Sequence, residues 1–226
     1  MQNLKRNLQA VARSLPVGVT LVAVSKHHPA EAVREAYDAG QRVFGESYAL
    51  ELKEKHDVLP RDIEWHFIGH LQTNKVKYII PFVSLIHSID SVRLLNEVDR
   101  QAAVHGRVVD CLLQVHVAQE ETKFGFTPEE CLSVVSDIGF RQLGNVRIRG
   151  VMAMASNTDD ESQISEEFRR VKKLFDTLRT SVWKGNAAFD TLSMGMSADY
   201  ELAIGMGSNM VRIGSRIFGE RNYLQE

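Results

Sequence analysis

Short apolar runs of strand length alternate with helix-compatible segments along this chain, and that alternation most restricts what the chain can fold into. Alternating strands and helices favour βα units around a parallel sheet. The runs number eight, and 226 residues suit a (β/α)₈ barrel, which commonly needs ~250. A doubly wound open sheet is the alternative, because alternation does not distinguish a closed sheet from an open one. We expect the strands to end near Ser25, Gly45, Gly69, Ser88, Val117, Met154, Gly195 and Gly214.

The segments between the runs have helical patterns, and a further amphipathic helix is predicted over residues 3–13, before the first strand. No linker rich in Pro, Gly or Ser divides the chain. We therefore expect one domain over residues 1–226, a (β/α)₈ barrel with an extra N-terminal helix. The predicted barrel helices are 31–39, 48–55, 74–80, 92–105, 129–138, 162–183, 199–204 and a last one that begins near Arg216.

Composition narrows the function classes. The net charge is −2 with the two signs interspersed, so neither nucleic acid nor an anionic membrane is predicted as a partner. The N-terminus lacks an apolar signal-peptide region, and no segment approaches ~18 uninterrupted apolar residues, which together predict a cytoplasmic protein. Cys111 and Cys131 have no CxxC partner, and we expect both to be small buried hydrophobic residues without a disulfide.

Lys26 ends the first apolar run, so the chain brings an amine out of a water-poor interior at the C-terminal tip of a strand. Partial desolvation lowers the pKa of a lysine, and a neutral amine can condense with an aldehyde to form a Schiff base. Taken alone, a lysine at a strand end is most often there because its ammonium is solvated. The other residues expected at the same rim change this interpretation.

Polar residues follow most of the predicted strands, and a (β/α)₈ barrel builds its active site at those strand ends. Two of these segments, 193–197 and 207–215, combine glycines and serines before a helix, which suits a phosphate. Arg212 in the last strand needs a partner there. A Schiff-base lysine opposite a phosphate site indicates pyridoxal 5′-phosphate (PLP). The other rim residues are Glu46, Ser47, His70, His87, Asp90 and His116.

A series of short motifs also runs in order along nearly the whole chain, from about Leu21 to Arg221. Together these motifs resemble the YggS/PROSC family of pyridoxal phosphate homeostasis proteins. They are Leu21-Val-Ala-Val-Ser-Lys26, Phe44-Gly-Glu46, Trp65-His-Phe-Ile-Gly69, Leu71-Gln72 with Asn74-Lys75, Lys123-Phe-Gly125, Arg149-Gly-Val-Met-Ala153, Leu192-Ser-Met-Gly-Met-Ser197 with Asp199, and Val211-Arg-Ile-Gly-Ser215 with Phe218-Gly219.

The resemblance implies a barrel similar to the N-terminal domain of alanine racemase, with PLP held as a Schiff base. It implies a monomer that buffers PLP or delivers it to apo-enzymes in vitamin B6 metabolism, with no defined catalytic turnover. By motif, Lys26 is the Schiff-base lysine. Ser197 and the backbone around Gly214 and Ser215 resemble the phosphate contacts.

Two further roles and two departures also come from the resemblance. Arg212 resembles the arginine that faces the pyridine nitrogen, where a permanently charged guanidinium makes the cofactor a poorer electron sink. Asn74 matches another family position near the cofactor. Ser47 stands where the family usually has Asn, and His70 where it often has Pro. Both departures concern details of the barrel mouth, where the strands end, and not the lysine or the phosphate motifs.

Two other functions and a metal site are alternatives to this interpretation. An amino-acid racemase similar to alanine racemase needs a tyrosine base from a separate β-domain, for which this chain, ending at Glu226, has no room. A class I aldolase usually carries its lysine on a later strand than the first. A metal site at His66 and His70 has helical spacing, but both residues are expected at a strand tip, and no carboxylate completes the set.

Overall fold

The eight strands form one closed, fully parallel barrel in the order β1 to β8, so the open sheet is excluded. The computed structural model describes residues 2–119, 124–137, 140 and 142–219. All eight predicted strands are confirmed, although β3 and β7 end two residues before the predicted glycines. The strands are β1 (Thr20–Val24), β2 (Val43–Glu46), β3 (Glu64–Phe67), β4 (Leu85–Ile89), β5 (Val109–His116), β6 (Val146–Met154), β7 (Thr191–Ser193) and β8 (Met210–Ile213).

The predicted helices are confirmed with end shifts of a few residues, apart from the segment 74–80. That segment begins with a 3₁₀ turn, Thr73–Lys75, and its α-helix has only four residues. The predicted end of the sixth helix, Ile138, lies outside the described residues. The helices are α1 (Gln2–Ser14), α2 (Ala30–Asp38), α3 (Ala49–Val58), α4 (Val76–Ile79), α5 (Val92–Val104), α6 (Pro128–Ser136), α7 (Glu161–Thr180), α8 (Tyr200–Gly205) and α9 (Ser215–Phe218).

Local sequence explains where several helices begin. Thr127 caps α6: its side-chain hydroxyl accepts a hydrogen bond from the Glu130 backbone N–H, and its own backbone N–H donates to the Glu130 carboxylate, with Pro128 at the first helical position. Ser91 caps α5 and Asp160 caps α7 in the same way, through side-chain oxygens. These caps fix the points at which the βα loops turn into helices.

Alternation along the strands divides the core in two. The larger apolar cluster fills the space between the strands and the surrounding helices. A smaller cluster inside the barrel contains Val22, Leu85, Leu112, Met152 and Met210. Because side chains of a strand alternate between faces, the residues two positions beyond these also point inward, and they are Val24, His87, Gln114, Met154 and Arg212. The inward-facing positions beyond the smaller apolar cluster therefore lie closer to the C-terminal mouth of the barrel.

Candidate functional site

Lys26 lies at the mouth of the barrel, two residues beyond the end of β1. It continues the inward register of Val22, and its side chain is partly exposed. It lines a cavity of about 780 Å³. This volume suits a small-molecule ligand. Other residues that line the cavity come from the loops and ends of β2, β3, β5 and β6 and include Ser47, Phe67, His70, Gln114, Phe124 and Met154.

Arg212 is buried in the barrel interior, with 4% of its surface exposed. One terminal nitrogen of its guanidinium donates to the Ser193 carbonyl oxygen at 2.9 Å and to the Ser193 hydroxyl at 2.6 Å. The other donates to the Ala153 carbonyl oxygen at 2.9 Å. The Ser193 hydroxyl lies 3.1 Å from Nδ1 of His87, whose Nε2 lies 3.0 Å from Nδ1 of His66. A hydrogen-bonded chain thus crosses the barrel and holds the guanidinium in place.

Burial sets the charge states of His66, His87 and Arg212 in this row of hydrogen-bonded side chains. It lowers the pKa of His66 to about 3 and places the pKa of His87 well below its ordinary value. It also lowers the pKa of Arg212 to about 10, which leaves the guanidinium protonated at neutral pH. Among His66, His87 and Arg212, the positive charge therefore lies on Arg212, and the two imidazoles are uncharged hydrogen-bonding partners.

Ser197, Gly214 and Ser215 form a corner where the loops after β7 and β8 meet. The Gly214 backbone N–H donates to Oγ of Ser197 at 3.3 Å, and the Ser197 hydroxyl keeps its own O–H donor. Ser215 is exposed at the start of α9. Gly195 has a φ of 93°, and a Cβ there would lie 2.8 Å from Cα of Tyr200. Glycine is therefore required for this loop to close against α8.

The corner is close to Lys26. A Cβ at Gly214 would lie 3.0 Å from the carbonyl oxygen of Val24, the last residue of β1. Gly214 thus packs against the strand end that leads to Lys26, two residues further along. Arg212 lies two residues before Gly214 on β8, and its backbone N–H donates to the Gly195 carbonyl oxygen at 3.0 Å. The predicted lysine, arginine and serine–glycine corner therefore lie on the paired strands β1 and β8 and on the loops at their C-terminal ends, while the cavity that Lys26 lines is formed by residues of β2, β3, β5 and β6 and their loops.

Asn74 lies elsewhere. It is exposed on the 3₁₀ turn and lines a separate depression that also contains Arg93 and Arg100. Its neighbour Lys75, by contrast, lines the cavity of Lys26. Of the six residues predicted for the cofactor site, the structure brings the other five to the mouth or to the barrel interior beneath it. A contact from Asn74 to the cofactor stays a prediction from the resemblance.

The two departures from the family pattern lie on the rim of the cavity. Nδ1 of His70 lies 2.9 Å from the Asp90 carboxylate, and the His70 ring stacks on Phe124 with centroids 3.9 Å apart. A Cβ at Gly69 would clash with the backbone of Ser47, so the loops after β2 and β3 are in close contact. Lys123, from the same motif as Phe124, lies outside the described residues.

A charged cluster beneath Lys26 was not predicted from the sequence. Nζ of Lys55, on α3, donates to Glu46 at 2.7 Å and to Glu51 at 2.8 Å. Glu46 and Lys55 are buried, and burial raises the pKa of Glu46 to about 7 despite the lowering effect of Lys55. A glutamate that ends an otherwise apolar strand, followed by an i,i+4 Glu–Lys pair in the next helix, is the signal that could have indicated this cluster.

The metal alternative finds no geometric support in the described part of the chain, which holds no group of three or more residues suited to a metal ion. His66 is hydrogen-bonded to His87, whereas His70 is held by Asp90 at the rim. Nor does any helix among residues 2–119, 124–137 and 142–219 have the length and apolarity to cross a membrane. Cys111 and Cys131 are both buried free thiols, as predicted.

Comparison with known proteins first defines the class. The model of the alanine racemase N-terminal domain family matches residues 1–222. The solved alanine racemase of E. faecalis shares the fold, with a TM-score of 0.71 and 18% identity over 98% of this chain and 58% of that chain. The protein is thus a barrel of the alanine racemase N-terminal class.

Closer relatives then identify the family. The pyridoxal phosphate homeostasis protein of Aquifex aeolicus is 41% identical over 204 residues, which cover 90% of this chain and 87% of that protein. PipY of Synechococcus elongatus PCC7942, solved with PLP bound, has a TM-score of 0.86 and 34% identity over 96% of this chain and 100% of that chain. The chain belongs to the pyridoxal phosphate homeostasis protein family, which confirms the resemblance found in its motifs.

Proposed function

We propose that this protein binds PLP as a Schiff base at Lys26 and serves intracellular PLP homeostasis, buffering the cofactor or delivering it to apo-enzymes. The observation that carries the proposal is that Gly214, which bonds to Ser197 and precedes Ser215, packs against the end of β1 that leads to Lys26, with buried Arg212 two residues earlier on β8. The homeostasis role is that of the named relatives, and the PLP-bound neighbour supports the ligand.

The donor set suits PLP chemically. A phosphate needs N–H and O–H donors that approach without side-chain bulk, and Ser215 and Ser197 supply hydroxyls beside the Gly214 backbone. A Cβ at Gly214 would crowd the Val24 carbonyl oxygen, so the lack of a side chain at Gly214 lets the two strand ends lie close together. Bound PLP would supply an aldehyde for the Lys26 amine. Condensation forms a C=N bond, and the carbonyl oxygen leaves as water.

Arg212 supports binding rather than turnover. Its guanidinium is protonated at neutral pH and is fixed by Ser193 and Ala153, so it presents a constant positive charge. A positive charge beside the pyridine nitrogen disfavours protonation of that nitrogen and weakens the cofactor as an electron sink. An arginine at this position does not by itself prevent turnover, so our proposal of a non-catalytic protein is supported mainly by the homeostasis role of the named relatives. An amino-acid racemase assay on the loaded protein tests the enzymatic alternative, and turnover above the rate of free PLP would overturn this part.

The remaining parts of the proposal concern organisation and location. We propose one barrel domain, a monomer, in the cytoplasm, with apo-enzymes that use PLP as the partners. The free thiols of Cys111 and Cys131 are compatible with a reducing compartment. Light scattering during size-exclusion chromatography measures the oligomeric state directly.

The binding experiment compares PLP with pyridoxal, which has the aldehyde but no phosphate. The wild-type protein is expected to prefer PLP by at least about tenfold, because hydrogen bonds to a charged group contribute about 1.5–3 kcal/mol each. Ser197→Ala is expected to reduce this preference, whereas Ser162→Ala, at the exposed start of α7, leaves it unchanged. Equal affinities for both compounds in the wild-type protein would refute the phosphate corner.

Delivery is tested by mixing loaded protein with an apo-enzyme that requires PLP. A carrier activates the apo-enzyme faster than free PLP supplied at the concentration that dissociation alone provides. Activation at the rate set by dissociation would identify a passive store and refute delivery.

A further inference from the structure

The backbone on both sides of Lys26 is held by one charged cluster, Glu46, Glu51 and Lys55, of which Glu46 and Lys55 are buried. Before Lys26, the Ser25 hydroxyl donates to Oε1 of Glu46 at 2.6 Å, and Nζ of Lys55 donates to the Ser25 carbonyl oxygen at 2.8 Å. After Lys26, the His27 backbone N–H donates to Oε1 of Glu51 at 2.7 Å. Lys55 connects the two carboxylates, so the three contacts form one clamp around the turn.

The turn held by this clamp has a conformation that side chains rarely adopt. His27 has a φ of 64°, in the left-handed region, and among the described non-glycine residues it is alone in having a positive φ. A residue with a Cβ pays roughly 1–2 kcal/mol in that region in general, so surrounding contacts must maintain it. The bond from His27 to Glu51 is one such contact. The ring of Tyr48, 5.1 Å away between centroids, is another.

Burial makes the cluster costly to keep. The Glu46 side chain is fully buried, that of Lys55 is 6% exposed, and that of Glu51 is 23% exposed. Oε2 of Glu46 is buried and has no hydrogen-bond partner in the structure as described. Because apolar residues of similar volume often give equal or greater stability than a buried ion pair, stability alone does not account for this cluster. Its bonds converge instead on the two residues that flank Lys26.

We propose that Glu46, Glu51 and Lys55 are positioning residues, which hold the Ser25–His27 turn so that the Lys26 amine is presented to the aldehyde of PLP. This inference rests on the proposed function. Lys26 itself reacts, whereas the cluster acts only through the backbone. Neutral Lys26 forms the C=N bond and water leaves, with no further reactant.

The test measures the rate at which Lys26 is labelled when PLP is added together with cyanoborohydride, which reduces the C=N bond but spares the free aldehyde at neutral pH. Lys55→Met is expected to slow labelling by at least about tenfold, since misplacement of a reacting group by about 1 Å can cost ~100-fold. Lys53→Met is the matched control, because Lys53 lies on the same helix in an exposed pair with Asp57. It is expected to label at the wild-type rate.

A second ligand separates positioning from general damage. Pyridoxine 5′-phosphate lacks the aldehyde, so its affinity reports the phosphate corner and Arg212 without the Lys26 reaction. In Lys55→Met this affinity is expected to stay within about twofold of the wild-type value. A parallel loss of this affinity and of labelling would overturn the positioning role, as would labelling at the wild-type rate. Wild-type protein that is not labelled on Lys26 refutes the proposed function itself.

Glu51 provides a second pair of variants in case Lys55→Met does not fold. Glu51→Ala removes the acceptor for the His27 N–H but retains the buried pair of Glu46 and Lys55. Glu51→Gln keeps an acceptor oxygen at the same reach. We expect several-fold slower labelling in Glu51→Ala and recovery of most of the rate in Glu51→Gln. Equal rates in Glu51→Ala and the wild-type protein would overturn the inference.

Discussion

Replacement of His66 by Asn removes a titratable group from the barrel interior and leaves most of its hydrogen bonding in place. The amide of Asn reaches the position of the imidazole Nδ1, which lies 3.0 Å from Nε2 of His87. The variant therefore can still support the chain that leads through Ser193 to Arg212. What it loses is a group that the unfolded chain protonates and the folded protein keeps neutral.

The size of the effect follows from the pKa of His66. In the folded protein this pKa is about 3, against an ordinary value of 6.5, because the ring is fully buried. A lowered pKa means that the unfolded state binds the proton first, so the free energy of unfolding falls as the pH drops below 6.5. Between pH 7 and pH 4.5 this loss amounts to about 2.5 kcal/mol. For a chain of this size it corresponds to roughly 5–10 °C in Tm.

The pH profile of the wild-type protein alone cannot show this loss. Glu46 has a raised pKa of about 7, so its contribution to stability grows by about the same amount over the same acid range. The informative quantity is the difference between His66→Asn and the wild-type protein, in which the Glu46 contribution cancels. Urea unfolding followed by circular dichroism at pH 7 and pH 4.5 measures it.

We expect the wild-type protein to lose about 2.5 kcal/mol more than His66→Asn between the two pH values. His105→Asn, at the exposed C-terminal end of α5, is the control and is expected to follow the wild-type profile. Identical losses in His66→Asn and the wild-type protein would refute the reasoning, since they would mean that His66 is not held neutral by burial.

Three further variants test other parts of the account. Arg212→Ala is expected to lower the affinity for PLP about tenfold or more, whereas the exposed control Arg34→Ala is expected to leave it unchanged. Equal PLP affinities of the two variants in equilibrium binding would remove Arg212 from the site. Gly195→Ala should lower the free energy of unfolding by at least about 1 kcal/mol more than Gly185→Ala. Both glycines have a positive φ, but of the two only Gly195 has atoms close to where a Cβ would lie. Equal losses for the two variants in urea unfolding would contradict this. The buried Glu46 carboxyl contributes about 2.5 kcal/mol of stability that is lost between pH 4.5 and 7, as the pH rises through its raised pKa, so the stability of the wild-type protein relative to Glu46→Gln should fall by that amount; parallel profiles of the two proteins would argue against burial of the carboxyl.

The barrel could be predicted because its signals are local and repeated. Each strand is an apolar run bounded by polar residues, and eight such runs leave few topologies. The segment 74–80 was predicted less well, because its apolar residues face the core over a single turn and the chain enters it through the 3₁₀ turn Thr73–Lys75. Periodicity cannot register a helix of four residues.

The site likewise has parts that the sequence predicts and parts that only the folded structure defines. Lys26 and the serine–glycine corner follow strands directly, so their position at the mouth could be predicted from chain order. The partners of Arg212 could not, because Ala153 and Ser193 meet it only when three strands close into a barrel. The clamp of Lys55 depends on how α3 packs against the end of β1, which no sequence period specifies.

The most direct test of the central claim is to identify the residue that PLP modifies. The protein is mixed with PLP, its visible absorption is recorded, borohydride is added, and the reduced adduct is located by peptide mapping. We predict an absorption band that collapses on reduction, with the label on Lys26, and neither band nor label in a folded Lys26→Ala variant. A label on another lysine, such as Lys75 in the same cavity, or no label on the wild-type protein, would contradict the account.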